Sequence, residues 1–250
     1  MGSAPGRGRV HGMDELRGIL IIYVVVYHLL FDLAVLFPAP VDWVFDPWMN
    51  RLRDCMTGAL IVFSGASCHY TRSNLRRGLK TFGWAMVLTV VTALFMPSQT
   101  IIFGILHFFG AAMMLYALAE KAIARVPALP GVLGSVLLYA FTRDIYYGTV
   151  GLFGWRLAVP DFFYDKVLLF PLGFRCQGVS SGDYYPILPW IFLFLAGSFL
   201  GRYMKAGRFP RWFYQSHFPA LAWAGSHTLP IYLVHQPIIY GALSLFYRVF

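Results

Sequence analysis

Hydrophobic positions along the chain fall into long runs separated by short polar or basic stretches. Neither the alternation of strands nor the one-sided stripe of soluble helices describes this pattern. With about 20 apolar residues needed per crossing, the runs predict membrane-spanning helices at roughly 16–37, 55–71, 80–97, 101–119, 129–148, 184–201 and 228–248. The predicted fold class is all-α, a polytopic membrane helical bundle of about seven transmembrane helices. Residues 1–250 read as a single integral-membrane domain, with residues 1–12 as a flexible polar head. The longest connection, 149–183, holds the apolar run Val167-Leu168-Leu169-Phe170, which is too short to cross. It is expected to form an extracytoplasmic or re-entrant loop; were it to cross, the count would rise by one.

Composition strengthens this reading. The chain is 58% hydrophobic and only 12% charged, with mean hydropathy +0.62. Soluble domains carry about 25% charged residues. A net charge of +9 would suit nucleic acid, but its location argues otherwise. Arg72, Arg76, Arg77, Lys80, Lys121, Arg125, Arg202, Lys205, Arg208 and Arg211 all fall in alternate connections, on the side that also takes Arg7, Arg9 and Arg17. Asp42, Asp46, Asp54, Asp144, Asp161, Asp165 and Asp183 fall on the other. The positive-inside rule therefore predicts a cytoplasmic N-terminus and an outer C-terminus, with lipid rather than nucleic acid as the partner. The first apolar run exceeds a signal-peptide core of about 7–15 residues, so no cleaved leader is expected. Three cysteines without metal-ligand spacing predict neither a disulfide framework nor a metal site. Small residues at Gly58, Ser64 to Ser67, Gly104 and Gly110 suit close helix packing and allow a homodimer.

Candidate chemistry starts in the first run. Arg17, His28 and Asp32 share one helical face, because eleven residues bring the helix back to nearly the same angle about 16 Å further on. Asp32 follows His28 at i+4. Ionisable residues inside a span mark cavities, partners or proton paths. His28 with a carboxylate one turn away suits a general base, and Arg17 suits either lipid headgroups or an anionic ligand. His107 lies in the fourth run between Gly104 and Gly110, and is read equally as catalytic or as a cross-helix hydrogen-bonding residue. Asp183-Tyr184-Tyr185-Pro186, with Pro189-Trp190, opens the sixth run; Asp183 is placed to cap that helix, and Asp183, Tyr184 and Trp190 also suit a sugar. In the last run Pro237 should kink the helix beside His235 and Gln236, pointing to an interior polar site. No phosphate loop, nucleophile elbow or zinc-protease pattern is present. Three classes remain: an enzyme moving a group from a cytoplasmic anionic donor to an outer acceptor, a proton-coupled small-molecule transporter, and a non-catalytic membrane subunit. The transporter reading lacks the paired halves usual for carriers.

The order of these blocks carries a resemblance. Asp14-Glu15-Leu16-Arg17-Gly18 with His28-Leu29-Leu30-Phe31-Asp32, then Gly104-Ile105-Leu106-His107, then Asp183-Tyr184-Tyr185-Pro186, then Ile231-Tyr232-Leu233-Val234-His235-Gln236-Pro237, resembles the heparan-α-glucosaminide N-acetyltransferase catalytic-domain family in its short bacterial form. The Arg17 to His28 spacing also resembles the wider transmembrane acyltransferase superfamily. The resemblance implies acetyl-CoA as co-substrate, a glycan or amino-sugar acceptor, and chemistry inside the bundle. It implies a bacterial inner membrane. Arg17 and His28 match the superfamily motif, and Asp32 and His107 join them as candidate catalytic residues. The donor's phosphates are expected at Arg17, Arg76 and Arg77. The acceptor is expected at Asp183, Tyr184, Trp190, His235 and Gln236.

Overall fold

The computed structural model describes residues 10–37 and 39–249. Arg7, Arg9 and the head up to residue 9 lie outside the described residues. The rest of the expected head is ordered into the fold: α1 spans His11–Val35, and Gly12 sits against the Phe213 carbonyl. The architecture is helical, as the apolar runs require where lipid offers the backbone no hydrogen bonds. Helices α2 (Pro47–Ala66), α3 (Asn74–Phe95), α4 (Ile105–Arg125), α5 (Ala128–Thr142), α6 (Ile187–Lys205), α7 (Pro219–Ser226) and α8 (Thr228–Val249) follow in order.

Among the described residues five helices, α1, α3, α4, α6 and α8, are long and apolar enough to cross a membrane. The other two expected spans fall short for different reasons. α2 carries Asn50, Arg51, Arg53 and Asp54 through its first half, and its apolar stretch then passes into a 3-10 turn at Ser67–Tyr70. α5 has 15 residues. At 1.5 Å rise that is about 22 Å, against a hydrocarbon core of about 30 Å.

The chain divides into two compact units, residues 1–60 with 204–250, and residues 61–203. In the first, α1 packs along α7 and α8. The second is built on α3 against α4. Its core gathers Ile61, Phe103, Phe108, Met113, Tyr116, Phe170 and Phe194. Small residues make the close crossings here. A side chain at Gly65 would strike the Phe194 carbonyl, and one at Gly110 would meet the Phe82 backbone at 2.7 Å. Of the small residues expected to pack, Gly65 is thus closed by Phe194 and Gly110 by Phe82.

The connection after α5 contains no membrane-length helix. It forms a hairpin, β1 (Thr149–Leu152) antiparallel to β2 (Trp155–Ala158), with Leu152 opposite Trp155. Phe153 and Gly154 form the two-residue turn at φ 51° and 86°, the positive values that type I′ geometry demands. Val167-Leu168-Leu169-Phe170 lies in a 3-10 helix (Val167–Leu172) and buries Phe170 in the core.

Candidate active site

The foot of α1 is fixed by polar contacts that periodicity does not reveal. Glu15 is buried, and its carboxylate accepts the backbone N–H groups of His217 (2.6 Å) and Phe218 (2.8 Å). Those are donors at the start of α7, so a side chain from α1 caps another helix. Two residues on, the Arg17 guanidinium donates to the Thr228 hydroxyl at 2.8 Å and lies 4.0 Å from the Asp14 carboxylate. This pins α1 to the first residue of α8. Contact is close because Gly18 faces the Leu221 carbonyl and Gly225 faces the Asp14 carbonyl, where no Cβ would fit.

Further along α1, the expected stripe meets α8. The His28 ring packs edge-on against His235, centroids 4.9 Å apart at 64°, and edge-on to Tyr27. No hydrogen bond to another described residue ties its nitrogens. Asp32 is 1% exposed. Its carboxylate is held by Gln236, whose side-chain amide donates to both oxygens at 2.9 and 2.8 Å. The expected Asp32–His28 pairing is therefore replaced by Asp32–Gln236 and His28–His235. An i, i+4 spacing puts two side chains on one face, but α8 supplies a better-matched donor at the level of the carboxylate. His235 is 6% exposed, and its Nδ1 lies 2.6 Å from the Tyr232 carbonyl oxygen. Two polar atoms here are buried without a partner among the described residues: His235 Nε2 and Gln236 Oε1. An orphaned buried group costs about 1–3 kcal/mol, so such an arrangement asks for a ligand or ordered water.

The second unit collects another set. His107 is 2% exposed. Its Nδ1 accepts the Gly104 backbone N–H at 3.2 Å, and its Nε2 lies 3.1 Å from the Thr89 hydroxyl, which also reaches the Ile101 carbonyl at 2.7 Å. Both ring nitrogens are engaged, Nδ1 in capping the start of α4 and Nε2 in tying it to α3. Asp183 accepts the Ile105 backbone N–H at 2.8 Å, so it caps α4 and not the helix it precedes in sequence. That expected cap is corrected because the chain before α6 is extended: Tyr185 N–H bonds the Phe103 carbonyl at 3.2 Å, and Leu188 is still non-helical. The Tyr184 hydroxyl donates to the Phe170 carbonyl at 2.7 Å, and burial, with Tyr146 beside it, pushes its phenol pKa well up. Trp190 packs on Tyr139 and Tyr185. At the start of α3, Arg77 donates to the Ser67 hydroxyl at 2.7 Å, while Arg76 is exposed. The first unit thus brings Arg17, His28, Asp32, His235 and Gln236 onto facing helices, and the second joins His107 and Asp183 at one helix start.

Comparison with known proteins decides the lineage. The family described as "Heparan-alpha-glucosaminide N-acetyltransferase, catalytic" matches residues 9–237. The chain belongs to this family. No curated protein and no solved structure matches it. Membership of the heparan-α-glucosaminide N-acetyltransferase catalytic family implies acetyltransferase activity, and the five apolar helices make the chain an integral membrane protein. The matched region includes α1 entire and ends at Pro237, one residue beyond Gln236.

Three residues of the family region escape sequence reasoning: Glu15, Thr89 and Thr228. Each acts through a partner on another helix, so no local spacing marks it. Helix α7 leaves one signal, Pro219 in its first turn, where the missing N–H is harmless.

Proposed function

We propose that this protein transfers the acetyl group of cytoplasmic acetyl-CoA to an amine or hydroxyl of a glycan acceptor at the outer side of a bacterial inner membrane, with His28 as general base. Family membership supports the reaction type. The observation that carries the residue assignment is the environment of His28. It stands inside a membrane-length helix beside His235, with no hydrogen bond to a described residue occupying its ring. His107, by contrast, spends both nitrogens on helix structure.

In this reading the acceptor's lone pair adds to the thioester carbonyl carbon while His28 takes the acceptor's proton. The carbon–sulfur bond then breaks, CoA leaves as thiolate, and the proton passes from His28 to that sulfur. The basic residues of the cytoplasmic side, with Arg17, Arg76 and Arg77 among them, attract the phosphates of acetyl-CoA. Arg17 and Arg77 are each held within the chain, by the Thr228 and Ser67 hydroxyls. On the acceptor side Asp183 and Tyr184 shape the start of α4 and the adjoining turn, and Trp190 offers a ring face.

The test is acetyl transfer by purified protein with labelled acetyl-CoA, comparing wild type with His28→Ala. Loss of about 10²–10⁴-fold is expected for removal of a general base. Full activity in folded His28→Ala would remove it from that role. A wild type that neither binds nor hydrolyses acetyl-CoA would favour a proton-coupled carrier built on the same His and Asp residues.

A further inference from the structure

We propose that His235 Nε2 and Gln236 Oε1 form the seat of the acceptor's reacting group, accepting hydrogen bonds from its N–H or O–H beside His28. The identity of the ligand rests on the acetyl-transfer reading; which atoms are open rests on the geometry alone.

The protonation pattern follows from the partners. A carbonyl oxygen only accepts, so His235 Nδ1, 2.6 Å from the Tyr232 carbonyl, carries the ring hydrogen. In the neutral imidazole Nε2 is then a bare lone pair, and it is buried and unpartnered. Gln236 is oriented by the same logic. The atom within hydrogen-bonding distance of both Asp32 oxygens has to be the amide NH2. Oε1 is therefore turned away from the carboxylate, and it too is buried and unpartnered. Pro237 adds to the same bias, since it has no N–H to return to the Leu233 carbonyl one turn earlier.

The open polar atoms of this turn of α8 are all acceptors. Such a site is satisfied by a ligand that brings hydrogens. An acetyl thioester brings none at its reacting end, because its carbonyl only accepts. An amine or hydroxyl brings one or more. The seat thus suits the nucleophile and not the acetyl donor, and it lies against the ring of His28, the proposed base. Asp32 acts here as a positioning residue: it fixes which end of the Gln236 amide is offered to the ligand.

The experiment uses the full chain in detergent, with glucosamine as the amine probe and acetyl-CoA as donor. His235→Phe keeps a ring against His28 and Tyr232 but removes Nε2. The KM for glucosamine should rise about tenfold or more while the Kd for acetyl-CoA stays within about twofold, the split expected when one substrate's contact is lost. His235→Gln returns an acceptor oxygen and should recover most of the glucosamine KM. Gln236→Met, which removes the second acceptor, should show the same split. An unchanged glucosamine KM in folded His235→Phe or Gln236→Met overturns the seat, as does a His235→Gln as impaired as the Phe variant. Should the wild type transfer no acetyl group, calorimetry with glucosamine alone separates the two ideas. Binding that His235→Phe abolishes supports the seat while the transfer reading fails; absent binding, or binding that His235→Phe leaves unchanged, overturns the seat.

Discussion

His28 and His107 are both histidines on membrane-length helices, and they differ in what their nitrogens hold. His107 bonds Gly104 and Thr89, so His107→Ala should leave a backbone N–H and a hydroxyl without that partner. The Thr89 hydroxyl keeps the Ile101 carbonyl, so the expected cost is about 1–3 kcal/mol for the stranded Gly104 N–H, read as a lower unfolding temperature in detergent, with kcat preserved in the folded fraction. His28→Ala should show the reverse, near-native stability with lost transfer. A His107→Ala variant as stable as wild type but inactive would exchange the two roles. Asp32 and Gln236 form the other residue-level pair. A double-mutant cycle of Asp32→Ala and Gln236→Ala should return a coupling of about 1–3 kcal/mol, because each side chain alone is stranded by loss of the other. Much of this scale was legible in the chain. The 100° per residue rule placed Arg17, His28 and Asp32 on one face, and the kink expected at Pro237 drew attention to His235 and Gln236. What it could not supply was pairing: Gln236 is 204 positions from Asp32, and no periodicity encodes which donor on a distant helix meets which acceptor. Asp183 shows the same limit, since the nearest helix in sequence was not the one it caps.

At the scale of elements, α1 and α7 approach so closely that a glycine is needed from each. A Cβ at Gly18 would enter the Leu221 carbonyl, and one at Gly225 would enter the Asp14 carbonyl. Either glycine changed to alanine should destabilise the fold by about 1–3 kcal/mol through overpacking. The same change at Gly83 or Gly134, where nothing lies within 4 Å, should be neutral or mildly stabilising. Unfolding temperatures of the four variants test the contrast, and equal shifts would refute it. Helices α1, α3, α4, α6 and α8 were readable as apolar runs because lipid demands length and apolarity together. Helix α7 was not. Eight residues are too few to impose a period, and its start is capped by Glu15 from elsewhere in the chain. The early start of α2 escaped for the opposite reason: its polar first half is helical, so hydropathy marked only the second.

For the whole molecule the open question is which helices cross, and the charges give a sharp test. If α1, α3, α4, α6 and α8 alone cross, the N-terminus is cytoplasmic and the C-terminus outer. If α2 and α5 cross as well, the termini are unchanged, because two crossings have been added. What differs is the connection holding Arg72, Arg76, Arg77 and Lys80. It is cytoplasmic only if α2 crosses; otherwise these cations lie outside, together with Lys121 and Arg125. The positive-inside rule favours the arrangement in which α2 and α5 also cross, with the polar half of α2, Asn50 to Asp54, at the outer interface. Single cysteines introduced into a variant lacking Cys55, Cys68 and Cys176 decide it by labelling from either face of oriented vesicles. Arg76→Cys should react only from the cytoplasmic face, and Gly178→Cys, in the connection before α6, only from the outer face. Labelling of Arg76→Cys from outside would establish the shorter count. It would also remove Arg76 and Arg77 from any role in drawing in a cytoplasmic donor. Topology and the proposed route of acetyl-CoA therefore stand or fall on the same residue.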